Sequence, residues 1–212
     1  MRLSRVMLAD DHTLVLEAFR SLLEPHFEIV GTVSDGRALV ESALRLKPDV
    51  IVIDIVMPLM NGLEAGLRLK EQMPAVKLIF LTMNEDADLA AEAMRSKASG
   101  YLLKTSAADE LIHAITMSLK GKTYVTPQIA RRMEKSFINH PLPKSGARAL
   151  TPRQREVVQL LAEGKTMKEV ASVLKVTPRT VAFHKYRVME DLQITSTAEL
   201  IQFAIKSKIL VR

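Results

Sequence analysis

The chain has 212 residues, 48% of them hydrophobic, with no Cys and no Trp. That length allows one or two ordinary domains and the apolar content is enough for a core, while the lack of Cys excludes a disulfide scaffold, a Cys-ligated zinc site, an iron–sulfur cluster and a thiol nucleophile. The net charge of +6 is split: residues 1–122 carry 14 Lys+Arg against 17 Asp+Glu, and residues 123–212 carry 16 against 7, so an acidic front half precedes a basic rear half suited to a polyanion such as nucleic acid.

Met1-Arg2-Leu3-Ser4-Arg5 leads into a short apolar run and two aspartates rather than into a signal sequence. No apolar stretch approaches the roughly 18 residues of a membrane span; the strongest, Val50–Met57, is cut by Asp54. These features predict a cytoplasmic protein without a membrane partner. The front half then alternates. Val6–Ala9 reads as a strand and Thr13–Leu23 as a helix, with Leu14, Leu16, Phe19, Leu22 and Leu23 on one broad face. Phe27–Val33 reads as a strand and Arg37–Leu46 as a helix. Val50–Ile53 is a β-branched run typical of a strand buried on both faces. Leu63–Gln72 is helical and ends before Pro74. Val76–Leu81, Asp86–Lys97, Gly100–Leu103 and Ala107–Leu119 continue the strand–helix alternation. Five such units predict a parallel sheet with helices on both faces.

Thr126-Pro127 opens a helix over 127–137, and the Pro- and Gly-containing run His140-Pro141-Leu142-Pro143-Lys144-Ser145-Gly146 reads as a linker. The predicted division is therefore 1–122, a linker over 123–147, and a second domain over 148–212. In that domain Thr151-Pro152-Arg153-Gln154, Thr166-Met167-Lys168-Glu169, Thr177-Pro178 and Ser196-Thr197-Ala198-Glu199 are helix starts. They predict four short helices near 152–163, 167–174, 178–192 and 197–208. The second and third are separated by Lys175-Val176-Thr177, which in a basic helical domain suggests a helix-turn-helix.

Functional side chains of the front half fall at the C-terminal ends of strands: Asp10-Asp11 after the first, Asp54 at the third, Thr82 at the fourth and Lys104 at the fifth. Ligands of open parallel sheets bind beyond those ends. Clustered carboxylates repel and call for a cation, and Mg²⁺ suits oxygen ligands while keeping waters that a phosphoryl oxygen can replace. A carboxylate can accept a phosphoryl group as an aspartyl phosphate. Taken singly, an Asp-Asp pair after a strand is ordinarily a solvated turn; the joint occurrence at four strand ends carries the signal.

Asp10-Asp11, Asp54 followed by Met57-Pro58 and Gly62, Thr82 and Lys104 together resemble the receiver domain of bacterial two-component response regulators. Leu150–Val157, Gly164–Ala171, Val176–Val181 and His184 resemble the LuxR-type helix-turn-helix. The pair is similar to the NarL/FixJ class over nearly the whole chain. The resemblance implies an α/β plus all-α architecture: a flavodoxin-like (βα)5 doubly wound parallel sheet of order 2-1-3-4-5, then a four-helix DNA-binding domain. It implies Asp54 as phosphoacceptor, Mg²⁺ held by Asp10, Asp11, Asp54 and the Val56 backbone carbonyl, Lys104 paired with the phosphoryl group, and Thr82 and Tyr101 as switch residues. For Tyr101, a half-buried strand aromatic is the alternative role. Val56 and Asn84 stand at the variable positions that tune autodephosphorylation. The only catalysis implied is the chain's own phosphoryl transfer and autodephosphorylation. The implied partners are a sensor histidine kinase, the major groove of double-stranded DNA and a second copy of the chain when phosphorylated or DNA-bound, with RNA polymerase as a further candidate.

On the 178–192 helix, Val181, Val188 and Leu192 mark the core face. Arg179, Phe183, Tyr186 and Glu190 point away from it, with Ala182 and Arg187 at the flanks. Phe183 and Tyr186 either contact bases, for instance a thymine methyl, or pack against the linker or receiver. The family often has Lys where this chain has Ala182. His184 is expected to be a packed structural histidine. Lys168, Lys175, Lys185 and Arg187, with the helix start at Thr177–Thr180, are candidates for DNA phosphates. Leu200, Ile201, Ala204 and Ile205 form an apolar stripe that serves either a dimer contact or the core. Two other functions compete: a haloacid-dehalogenase-type phosphatase, which needs a second Asp where Val56 stands, and a constitutive DNA-binding module with the front domain as scaffold.

Overall fold

The computed structural model of the chain describes residues 2–83, 85, 87–139, 150–207 and 209–210. Asn84 and the linker motif of residues 140–146 lie outside them. The chain divides into two compact units, Met1–Pro141 and Leu142–Arg212.

The first unit runs β1 (Arg5–Ala9), α1 (Thr13–Leu23), β2 (Glu28–Val33), α2 (Gly36–Leu46), β3 (Val50–Asp54), α3 (Gly62–Gln72), β4 (Lys77–Thr82), α4 (Ala87–Arg95), β5 (Gly100–Leu103), α5 (Ala107–Leu119), β6 (Tyr124–Val125) and α6 (Pro127–Asn139). The strands form one parallel sheet of order β2-β1-β3-β4-β5-β6. This is the expected order with a sixth strand added at the edge. β3 is buried along its whole length, as its β-branched composition predicts. Val6, Leu8, Val52, Ile79, Leu81 and Leu102 on the strands pack with Phe19 and Leu23 of α1 and Leu111 and Ile115 of α5. Packing on that face holds the strand ends in a fixed register. On the other face α2 starts at Asp35, whose carboxylate accepts from the Arg37 and Ala38 amides, and α3 starts at Asn61, which accepts from the Glu64 amide at 2.9 Å.

Within the predicted linker the helix expected over 127–137 forms as α6, while the residues before it join the first unit's sheet. Tyr124–Val125 pairs with Gly100–Tyr101, α6 packs along α4, and Ile129 is fully buried. The physical reason is a short, tightly hydrogen-bonded segment: the Thr126 amide donates to the Tyr101 carbonyl at 3.0 Å, and the buried Thr126 hydroxyl accepts from the Leu103 amide and donates to Glu110.

The second unit is helical: α7 (Pro152–Ala162), α8 (Met167–Leu174), α9 (Pro178–Asp191) and α10 (Thr197–Lys206). The predicted starts are real caps. Thr151 with Gln154, Thr166 with Glu169 and Ser196 with Glu199 form reciprocal capping boxes, and Thr177 accepts from the Thr180 amide. Between α8 and α9, Lys175 takes a left-handed conformation with φ 53°, which turns the chain in three residues. Arg153 braces that turn, donating to the Leu174 carbonyl at 3.0 Å while pairing with the buried Glu156 at 2.9 Å. The core contains Val157, Val158, Leu160, Val170, Val181, Val188, Leu200 and Ala204.

Candidate functional site

Four strands deliver the front-half residues to one end of the sheet. The Asp10 amide donates to the Val33 carbonyl, which fixes the end of β1. Asp54 ends β3, and one of its carboxylate oxygens accepts from the Val56 amide at 3.2 Å. Thr82 ends β4 fully buried, and its carbonyl accepts from the Lys104 amide at 2.8 Å. Lys104 then reaches back across the sheet, so that its Nζ stands 2.7 Å from both Asp10 Oδ2 and Asp54 Oδ2. Asp10 and Asp54 are each 2% exposed, so this ion pair works largely out of water.

The electrostatics follow from that burial. Desolvation pushes the Asp54 carboxyl up to about 6, and repulsion from Asp10 adds to it, against the opposing pull of Lys104 and the Val56 amide. Burial pulls the Lys104 ammonium down, but its hydrogen bonds and attraction to Asp10 and Asp54 outweigh this and hold it above its ordinary value. Asp10, Asp11, His12 and Asp54 each offer a ligand atom, and these atoms lie within 4.8 Å of one another. One cation in the pocket is thus supported by carboxylate donors already gathered.

His12 was not predicted from the sequence. Its Nδ1 lies 3.2 Å from Asp10 Oδ1 and 2.8 Å from Asp11 Oδ1, and its amide donates to Asp10 Oδ1. The available signal was its place directly after the two aspartates. Tyr101 is fully buried on β5 opposite Phe80, not half-buried as its alternative role would have it. Gly62, at the start of α3, packs against the Asp54 backbone, and its amide donates to the Ile55 carbonyl at 2.9 Å. That fold-back turns the chain sharply after Asp54.

In the second unit α9 presents Arg179, Phe183, Tyr186 and Arg187 to solvent, while Val181 and Val188 are buried. Phe183 is 65% and Tyr186 59% exposed, so within this unit neither packs into the core. Their neighbours are local: the Phe183 ring meets His184 edge-on, and Lys185 Nζ lies 5.6 Å from the centre of the Tyr186 ring. Lys185 also donates to the Thr197 hydroxyl at 2.9 Å. Arg187 is held by Glu190 at 3.1 Å and Asp191 at 3.5 Å. Lys168, Lys175, Thr177 and Arg179 are exposed, Thr180 and Ala182 partly so. His184 is partly buried, and burial followed by the nearby Arg153 charge lowers its pKa. In the apolar stripe of α10, Leu200 and Ala204 are buried in the unit's own core, while Ile205 is 42% exposed.

Residues 6–116 match the response regulator receiver domain, and residues 148–204 match the bacterial regulatory proteins of the luxR family. The oxygen regulatory protein NreC of Staphylococcus carnosus is 32% identical, with 97% of this chain and 99% of that protein aligned. Among solved structures, the RcsB response regulator of Salmonella typhimurium is 28% identical, with 96% of this chain and 98% of that one covered and a TM-score of 0.60. A complex of RcsB with DNA gives 27% identity, the same coverage and a TM-score of 0.60. No helix among the described residues is long and apolar enough to cross a membrane. With a receiver unit carrying an acidic pocket and a LuxR-type helix-turn-helix unit behind it, the chain belongs to the two-component response regulators of the NarL/FixJ type, which are DNA-binding transcription regulators.

Proposed function

We propose that Asp54 is the phosphoacceptor of this regulator and that its phosphorylation, by a sensor histidine kinase in the cytoplasm, controls DNA binding by α9. The observation that carries the reading is Lys104 Nζ at 2.7 Å from both Asp10 and Asp54. A buried carboxylate with a cation already on one oxygen is oriented for attack on phosphorus, and the ammonium is placed to follow the charge onto the phosphoryl oxygens.

Asp10, Asp11 and Asp54, with the Val56 carbonyl, would hold Mg²⁺; their hard oxygen donors suit that ion. Bound there, Mg²⁺ would neutralise carboxylate and phosphoryl charge. Asp54 supplies the attacking oxygen, the donor's phosphorus–oxygen or phosphorus–nitrogen bond breaks, and the leaving group departs with its electron pair. Lys104 releases Asp54 and pairs with the new phosphoryl group. The Thr82 hydroxyl, at the end of β4, donates to it, and Tyr101 one strand over adjusts to the shift. Val56 and Asn84 tune the return by hydrolysis. No second carboxylate follows Asp54 at Val56, which argues against a phosphatase acting on other molecules.

The DNA reading rests on exposure and charge. Phe183 and Tyr186 would meet base edges beside Arg179, Thr180 and Ala182, and Lys168, Lys175, Lys185 and Thr177 would meet phosphates, with Arg187 restrained from doing so by Glu190 and Asp191. A dimer would set two copies of α9 about one helical turn apart, with Ile201 and Ile205 as the remaining dimer candidates on α10. In functional terms the receiver extends through α6, and the DNA-binding unit begins near residue 148. RNA polymerase is a further candidate partner.

The test is incubation with acetyl phosphate and Mg²⁺, followed by mass spectrometry of the modified peptide. One acid-labile, hydroxylamine-sensitive phosphoryl group on Asp54, absent from Asp54→Asn, is the expected result. Modification of a different residue would falsify the assignment.

A further inference from the structure

α6 is tied to the receiver at two points, and both adjoin the residues that would move on phosphorylation. The first is Thr126: its hydroxyl accepts from the Leu103 amide at 3.3 Å and donates to Glu110 at 2.8 Å. Leu103 directly precedes Lys104. The second is Glu85, three residues after Thr82. One of its carboxylate oxygens accepts from Gln128 Nε2 at 2.7 Å, and the other pairs with Arg132. Gln128 and Arg132 lie one helical turn apart on α6 and so grip one carboxylate from a single face. Between these anchors α6 packs along α4, with Ile129 buried.

We propose that Gln128 and Arg132 are positioning residues of the phosphoryl switch, acting through Glu85 on the segment that carries Thr82. The inference rests on Asp54 being the phosphoacceptor. While Asp54 is unmodified, α6 holds Glu85 and, with it, the end of β4. When Thr82 and Lys104 close on a phosphoryl group, that segment is drawn inward, Glu85 leaves Arg132, and the first turns of α6 loosen. α6 is the last element before the DNA-binding unit in the sequence.

The coupling is reciprocal: a contact that phosphorylation weakens must itself oppose phosphorylation. Its size is bounded. The side chains of Arg132 and Glu85 are 53% and 35% exposed, and partly exposed pairs of this kind shift an equilibrium by roughly two- to fivefold. The grip therefore biases the switch without locking it.

The experiment uses the full chain, acetyl phosphate and Mg²⁺, with two readouts on one sample. Intact mass reports phosphoryl gain, and amide hydrogen exchange reports residues 127–134. The expected result is phosphoryl gain with faster exchange in 127–134. Arg132→Ala should accelerate exchange there before any phosphodonor is added and, the released form being the one that reacts, speed phosphoryl gain by roughly two- to fivefold through its larger population. Arg132→Lys should restore much of the wild-type rate, and the exchanged pair Glu85→Arg with Arg132→Glu should restore more than either change alone. A purely structural role would alter melting temperature without changing the phosphorylation rate in this pattern. Phosphoryl gain with unchanged exchange in 127–134 overturns the inference and leaves the phosphoacceptor reading standing. No phosphoryl gain removes both.

Discussion

Gly62 presses against the backbone of Asp54: a β-carbon at position 62 would stand 2.1 Å from the Asp54 carbonyl oxygen and 2.9 Å from Ile53 Cγ2. Backbone cannot yield as the end of a flexible side chain can, so the β3–α3 connection must shift. Gly62→Ala is expected to cost about 1–3 kcal/mol of stability and to slow phosphoryl gain by roughly tenfold or more through misplacement of Asp54. Gly66→Ala is the control. Its β-carbon would meet Phe80 Cζ at 2.6 Å, so it strains the same helix away from the pocket. Equal losses of phosphorylation rate in both variants, measured where both are folded, would show that Gly62 has no special hold on the site.

The buried Asp54 carboxyl makes a pH prediction. Its value rises from 3.8 to about 6 in the fold, chiefly by burial. A raised carboxyl favours the folded state when protonated, so this contribution is full below pH 3.8 and is lost as pH rises through about 6. At neutral pH without metal, the ionised group costs about 3 kcal/mol relative to its protonated form. Asp54→Asn should therefore melt higher than the parent at pH 7.5 in chelator, with the gap closing toward pH 4. Added Mg²⁺ should narrow the gap at pH 7.5 by stabilising the parent alone. Thermal melts across that range decide the matter, and a parent at least as stable as Asp54→Asn in chelator at pH 7.5 contradicts the burial account.

The strand–helix alternation, the strand-end cluster and the four rear helices were legible because each has a local signature, whereas the sheet order followed only from the resemblance to receiver domains. Period and β-branching mark β3, and Thr or Ser followed three residues later by Glu or Gln marks three helix starts. β6 was not legible. Two residues, Tyr124 and Val125, carry no period, and their place is set by backbone bonds from Tyr124 to Ser99 and from Thr126 to Tyr101. The Glu85–Arg132 pair joins residues 47 apart in sequence, a relation that only the fold creates. The α10 stripe was ambiguous because a helix in a small domain shows the same apolar face to its core and to a partner; burial of Leu200 and Ala204 separates the two uses.

The capping box at α8 is expected to be worth its full effect because α8 has only eight residues. Thr166 accepts from the Glu169 amide, and Glu169 accepts from the Thr166 amide and hydroxyl. Thr166→Ala should lower stability of the second unit by about 1 kcal/mol. The backbone hydrogen bond from Thr166 holds Glu169 below its ordinary value. Its contribution is therefore present above pH 4.5 and lost as pH falls through the depressed value. Thr166→Ala keeps the backbone N–H and loses only the hydroxyl's bond to Glu169, so denaturant unfolding of parent and variant should approach one another on acidification by that share alone. A constant difference at every pH would mean that the hydroxyl's bond to Glu169 contributes nothing.

Base readout and charge are separable on the DNA-binding unit. Phe183 and Tyr186 are exposed on one face of α9 and carry no charge. Phe183→Ala and Tyr186→Ala should each cost roughly 1–3 kcal/mol on a specific duplex and little on a random one. Lys168→Ala and Lys175→Ala should weaken both duplexes alike and lower the salt slope by about one unit each. Arg187 should behave differently from a free phosphate contact, because Glu190 and Asp191 already hold it at 3.1 and 3.5 Å. Arg187→Ala should change the slope by well under one unit, whereas Glu190→Gln with Asp191→Asn should strengthen binding to both duplexes by releasing it. Salt titrations of each variant on the two duplexes measure all of these terms together. A full unit lost on Arg187→Ala would mean that DNA phosphate displaces the two carboxylates, and unchanged discrimination in both aromatic variants would mean that α9 does not read bases through Phe183 and Tyr186.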